Sequence, residues 1–136
     1  MQPAEAQLEA LLELARKVRA AAHAPYSQFR VGAALLDAAG RSFSGCNVEN
    51  LSFGLTVCAE RNAIAAAVAA GMQPGGLMAL VLVGDTQSPL SPCGACRQVI
   101  AEFAHADCRV IGANLAGQLR SWRLSELLPE GFKSLG

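Results

Sequence analysis

Three cysteines, a glutamate and an arginine carry the chemistry open to this sequence: Cys58, Glu60 and Arg61 in TVCAERNAI, and Cys93 and Cys96 in SPCGAC. Cys93 and Cys96 are three apart, so on the first turn of a helix their sulfurs share a side. Zinc takes thiolates at about 2.3 Å in a tetrahedron, and such a pair commonly provides two of them. Alone, the pair has three readings: a redox couple, half of a structural zinc site, or coincidence. Cys58 adds a third sulfur, also opening a helix after an irregular segment. Three protein ligands and one open position describe a catalytic zinc, whereas four describe a structural one. Glu60 stands two residues beyond Cys58, where helical side chains diverge. It is therefore poorly placed as a fourth ligand and well placed to take a proton from an activated water. Three thiolates overcompensate a divalent cation. Two helix N-termini and the permanent cation of Arg61 offset that excess, so Arg61 reads as a group beside the ligands that tunes the metal. Its plain alternative is a solvated helix charge.

Helices opening at Cys58 and Cys93 are what the rest of the chain must deliver. Pro3 suits the first turn of a helix. After it Leu8, Leu11, Leu12, Ala15, Val18 and Ala22 recur at helical spacing, and Pro25 is expected to end the run. FRVGAALLDAAGRSFSGCNVEN reads as two strands joined by a turn at Asp37 to Gly40. A second helix runs from about Cys58 to Ala70, with Gly71 as its stop. LMALVLVG is a continuous apolar run, the mark of a strand buried on both faces. A third helix begins near Cys93. CRVIGAN and QLRSW read as short strands around a Gly117 turn, and LSELLPEGF as a short helix or turn. The order α-β-β-α-β-α-β-β-α implies an α/β layered sheet. No repeat or linker divides it, so residues 1–136 read as a single domain.

Hydrophobic residues make up 52% and charged residues 16%, which leaves a large part of the surface for subunit contacts. The formal net charge is zero, with no basic run, so nucleic acid and anionic membrane are poor partners and a small uncharged ligand is a better one. The N-terminal MQPAEAQLEALLELARKV interleaves its charges and is expected to be neither signal peptide nor membrane span. Five cysteines, an odd number without an export signal, point to metal binding or burial over disulfides, and to the cytoplasm.

A cysteine or histidine, one residue, a glutamate, and later Pro-Cys-x-x-Cys is the signature of zinc-dependent nucleoside and nucleobase deaminases. Here the pieces are CAE at 58 to 60 and PCGAC at 92 to 96. With APYSQFRVGAALL, GCNVEN, CAERNAI, SPCGACRQVI and ELLPEGF in order from residue 24 to 132, the chain resembles the small homotetrameric cytidine deaminases over most of its length. The resemblance implies a three-layer α/β/α sandwich around a mixed, roughly five-stranded sheet. It implies zinc on Cys58, Cys93 and Cys96, and hydrolysis of cytidine and 2′-deoxycytidine to uridine and 2′-deoxyuridine with release of ammonia, a pyrimidine salvage reaction. Glu60 becomes the proton shuttle and the Ala59 N–H a donor to the base O2. Asn47 and Glu49 hold the ribose 3′-hydroxyl, Phe29 and Val31 pack on the pyrimidine, and Phe132 reaches a neighbouring subunit's site. Gln98 is a candidate for a hydrogen bond beside the ligands. Where relatives commonly carry alanine, tyrosine and threonine, this chain has Leu51, Phe53 and Asn62, which puts substrate preference in question.

Each residue has a plainer reading. Asn47 and Glu49 share a face of a strand and by pattern alone are turn and strand-end polar groups. Phe29 and Val31 would be core, and Phe132 a staple of the C-terminus to its own domain. His23 and His105 read as helix-end groups, and Cys46 and Cys108 as buried strand cysteines. Deamination of a blasticidin S-type nucleoside is a related activity, which Asn47 and Glu49 disfavour. Polynucleotide editing lacks the basic and aromatic stretches it needs. A structural zinc module would need Cys46 or Cys108 as fourth ligand and leaves Glu60 without a role. A catalytically dead paralogue would not need every motif position filled.

Overall fold

The computed structural model describes residues 2–135 and follows the expected element order. Helix α1 is Glu5–Arg19, strands β1 and β2 are Val31–Asp37 and Ser42–Cys46, and helix α2 is Ala59–Ala69. Strand β3 is Leu77–Gly84, α3 is Gly94–Phe103, β4 is Ala104–Asn114, β5 is Leu119–Arg123, and α4 is the single turn Leu124–Leu127. The sheet is mixed and five-stranded in the order β2-β1-β3-β4-β5. Only β3 and β4 are parallel, joined by α3; the other neighbours are antiparallel.

Every residue of β1 and β3 is buried, because helices cover both faces of these central strands. On one face α1 lays Leu8, Leu11, Leu12 and Ala15 against Ala34, Leu36, Ala79, Val81 and Val83. Burial of each leucine contributes about 1.5–3 kcal/mol, enough to hold a helix whose N-cap, Ala4, has no side-chain oxygen to offer. The opposite face packs Ala33, Leu35, Leu80 and Leu82 on Ala63, Ile64 and Ala67 of α2 and Ile100 of α3. Two cores on two faces give the three-layer sandwich.

Several boundaries differ from the sequence expectation. Helix α1 stops at Arg19, well before Pro25. The next N–H groups make tighter i→i−3 bonds, and His23 N–H then donates to the Asn47 carbonyl, which draws the chain beside the segment that follows β2. Strand β4 starts at Ala104, ahead of Cys108, because Ala104 pairs with Leu77 of β3; residues 104–107 remain half-buried or exposed and so lack an apolar signature. His105 consequently lies in β4 and not at a helix end. Strand β5 begins one residue late, since Gln118 closes the turn with Asn114.

Candidate metal centre and active site

Pairing register brings the functional segments to one end of the sheet. Val31 opens β1 opposite Gly84, which closes β3, and Gly32 pairs with Cys46, which closes β2. The chain therefore leaves β2 toward Asn47 and leaves β3 toward Cys93 at the same edge. This edge includes the carboxyl ends of the parallel pair β3 and β4, where α/β sheets favour ligand crevices.

Both helices that follow start here. Cys58 is the N-cap of α2 and Cys93 the N-cap of α3, with Cys96 one turn inside α3. Two close approaches of backbone set their positions. A Cβ at Gly45 would lie 2.5 Å from Ala63 N and 2.7 Å from Ala59 O, so glycine lets α2 rest directly on β2. At Gly112 a Cβ would fall 1.7 Å from the Leu90 carbonyl oxygen, so the loop leading to Cys93 crosses β4 only because that residue has no side chain. Asn62 ties the same layers by donating its amide to the Cys46 carbonyl at 2.8 Å.

The sulfurs of Cys58, Cys93 and Cys96 lie within 4.8 Å of one another, and Cys58 and Cys93 are 3.9 Å apart. A tetrahedron with arms of about 2.3 Å has edges of about 3.8 Å, so the trio fits a zinc ion. Its proton chemistry fits as well. Hydrogen bonding from Cys96 draws the Cys58 thiol down to about 5, while that same partnership and burial push Cys96 up. The Cys58 thiolate forms readily; ionising Cys96 calls for a cation. The Arg61 Nη2 donates to Cys58 Sγ at 3.5 Å and to the Thr56 carbonyl at 3.4 Å, and its buried Nε has no protein partner. Neither Cys46 nor Cys108 joins the group among the described residues, so a fourth cysteine ligand is missing. Cys108 is buried, which pushes its thiol up to about 12 and makes it inert; Cys46 is only half-buried. Among the described residues no disulfide forms.

Glu60 is 4% exposed beside these sulfurs. Burial, reinforced by the negative charge of Cys58, raises its carboxyl above the usual range. The Ala59 N–H, at the first position of α2, has no intrahelical acceptor. Both residues line a cavity of about 180 Å³ with Phe29, Val31, Asn47, Cys58 and Cys93. Sequence reasoning missed Thr56, Leu82, Leu90 and Ser91, which complete this wall. The motif SPCGAC could have flagged Ser91; Leu90 and Leu82 carry no local signal. A larger groove, about 790 Å³, runs between α1 and the β4–β5 face. It has no thiol and no buried acid, so the chemistry assigns the smaller cavity.

Asn47 and Glu49 do not sit on a strand, since β2 ends at Cys46. Val48 between them is held by isolated bridges to His23 and Val57, which keep the segment extended. Asn47 Oδ1 accepts from Val31 N–H at 2.8 Å and its Nδ2 donates to the Phe29 carbonyl at 2.8 Å. Glu49 Oε1 accepts from the N–H groups of Tyr26 and Ser27 at 3.0 and 3.1 Å, and Oε2 accepts from the Ser27 hydroxyl. That hydroxyl bond leads the effects that lower the Glu49 pKa. Phe53 is 71% exposed and tilts against Tyr26 with ring centroids 5.7 Å apart. With Ser27, Glu49 and Thr56 the two rings line a crevice of about 250 Å³ that adjoins the first cavity through Thr56. Gln98 does not turn to the thiols: its amide bonds the backbone of Phe132. Phe132 itself is largely exposed and does not line the small cavity.

Residues 5–112 match the family model of the cytidine and deoxycytidylate deaminase zinc-binding region. The chain is 46% identical over 125 residues to the cytidine deaminase of Sporosarcina psychrophila, covering 92% of this chain and 90% of that protein. Identity to the cytidine deaminase of Mycobacterium tuberculosis is 43% over 118 residues, or 87% of this chain and 84% of that one. The crystal structure of cytidine deaminase from Burkholderia pseudomallei superposes with a TM-score of 0.88 at 48% identity, over 91% of this chain and 98% of the other.

Proposed function

The chain belongs to the cytidine and deoxycytidylate deaminase family of zinc enzymes, and from that premise we propose that it hydrolyses cytidine and 2′-deoxycytidine to uridine and 2′-deoxyuridine, releasing ammonia. The observation that carries this reading is the buried Glu60 carboxyl, raised in pKa, beside three sulfurs and a small apolar cavity. At about 180 Å³ the cavity is small against the about 300–1,000 Å³ of drug-sized pockets, which suits a pyrimidine ring with its sugar left in the adjoining crevice.

Cys58, Cys93 and Cys96 would hold a zinc ion, which would supply a Lewis acid able to lower the pKa of water toward neutrality. Glu60 takes the proton from the attacking water, passes it to N3 of the base, and then assists departure of the amino group as ammonia. Its raised pKa suits a group that must both accept and return a proton near neutral pH. The Ala59 N–H donates to the base O2. Phe29 and Val31 pack on the ring, with Leu82 and Leu90 added to that wall. Glu49, kept ionised by Ser27, accepts the 3′-hydroxyl, and Asn47 donates its second amide hydrogen to the same group. Arg61 offsets the negative charge of the thiolates. Leu51, Phe53 and Leu55 stand exposed, with Phe53 in the wall of the sugar crevice, which supports a homotetramer whose subunits share active sites, with Phe132 of one copy reaching the site of another. A cytoplasmic place in pyrimidine salvage accords with the unpaired cysteines and with the absence, among the described residues, of any helix able to cross a membrane.

The test is zinc per chain measured alongside the ultraviolet loss on conversion of cytidine. About one zinc per chain and steady conversion are expected. Glu60→Ala should keep the zinc and lose about 10²–10⁴-fold or more in kcat. Zinc-loaded protein that converts neither cytidine nor 2′-deoxycytidine would defeat the proposal, and undiminished activity in Glu60→Ala would remove the role given to Glu60.

A further inference from the structure

Gln98 follows Cys96 by two residues, yet its side chain serves the C-terminal segment. Its Oε1 accepts from the Phe132 N–H at 3.1 Å, and its Nε2 donates to the Phe132 carbonyl at 3.0 Å. One planar amide thus closes both polar groups of a single residue, as one strand residue does for another. Holding N–H and C=O together fixes the local backbone plane, and with it the direction of the Cα–Cβ bond. The ring gains its orientation this way even though it is 67% exposed and has little packing of its own.

Arg97 reinforces the arrangement. Its Nε donates to the Pro92 carbonyl at 2.8 Å and its Nη1 to the Leu127 carbonyl at 2.9 Å. Two adjacent residues of α3 therefore fasten the segment from Leu127 to Phe132 onto the helix that carries Cys93 and Cys96. Residues 128–135 have no helix or strand, and an irregular terminal segment keeps a ring aimed only where it is tied down.

We propose that Gln98 is a positioning residue whose amide clasp on the Phe132 backbone aims the Phe132 ring at the nucleoside site of an adjoining copy. The proposal rests on the reading of Phe132 as a substrate contact given above.

Zinc-loaded wild type is compared with Gln98→Ala, Gln98→Glu, Phe132→Ala and the Gln98→Ala, Phe132→Ala double variant. Hydrogen exchange in a peptide covering residues 128–135 reads the clasp directly. Protection is expected in the wild type and lost in Gln98→Ala; equal protection would overturn the proposal. Loss of two neutral hydrogen bonds should raise KM for cytidine by about tenfold in Gln98→Ala, with kcat changed less than about twofold. Gln98→Glu keeps the acceptor for the Phe132 N–H but loses the donor, so its KM should fall between those of wild type and Gln98→Ala. In the Phe132→Ala background, Gln98→Ala should change KM no further, because the two residues act as one unit. An effect that persists in that background, or that falls on kcat together with zinc content, would mark Gln98 as merely structural and overturn the proposal. Should Phe132→Ala leave KM unchanged while Gln98→Ala still loses protection, the clasp stands. The substrate contact then fails, and with it the aim assigned to Gln98.

Discussion

Asn47→Ala is expected to weaken the fold and the sugar contact together. Asn47 is 8% exposed, and its amide serves two backbone groups 16 and 18 residues away in the chain. The bond to the Val31 N–H is buried, so removing its acceptor leaves an orphan donor at a cost of about 1–3 kcal/mol. The Phe29 carbonyl is only part-buried and can turn to water, which adds at most about 1 kcal/mol. The sum is about 1–4 kcal/mol, which lowers Tm by roughly 3–16 °C in a chain of this size. Urea and thermal unfolding at one protein concentration and one zinc concentration measure it, since ligand and assembly both shift apparent stability. Steady-state kinetics on the surviving fold measure KM. A wild-type unfolding midpoint with a raised KM would refute the fastening role. A lowered midpoint with an unchanged KM would refute the sugar contact and leave Asn47 as a purely structural residue.

Gly45→Ala must push α2 off β2, because the new Cβ would meet backbone atoms of Ala59 and Ala63 at 2.7 and 2.5 Å. An overpacking loss of about 1–3 kcal/mol or more is expected, with weaker zinc binding because Cys58 and Glu60 ride on that helix; a chelator competition with unchanged affinity would disprove the link. Glu60→Gln is expected to stabilise the metal-free protein at neutral pH. Burial raises the Glu60 pKa above 4.5, so the folded state holds the proton more tightly than the unfolded chain. Wild-type stability is then full below pH 4.5 and declines as pH rises through the raised value. The advantage of Glu60→Gln in unfolding midpoint should therefore vanish below pH 4.5, and a gap independent of pH would contradict it.

Much of the scaffold was legible in the sequence because its signals are local. The apolar run of β3 needs no partner to be recognised, and the two helix starts at Cys58 and Cys93 follow from the motifs around them. Their convergence was legible only in part. Spacing puts Cys93 and Cys96 on one side of a helix, but Cys58 joins them through the register that aligns Val31 with Gly84 and Cys46 with Gly32. Misplaced boundaries share one cause. Residues after Arg19 and at the start of β4 take their conformation from pairing with the segment that follows β2 and with β3, against the local pattern.

The sequence by itself determined the element order, the donor set for zinc and the acid beside it, because helix starts, apolar periodicity and ligand chemistry are properties of residues a few positions apart. Tertiary structure alone decided the rest of the site. Asn47 fastens the Phe29–Val31 backbone, Ser27 caps Glu49, Leu90 enters the cavity wall across Gly112, and Gln98 grips Phe132. Each of these joins segments that are far apart in the chain and become neighbours only once five strands are ordered and two cores have closed. A hydrogen bond to a backbone group leaves no mark on the identity of the residue that receives it, so no pattern of letters announces it.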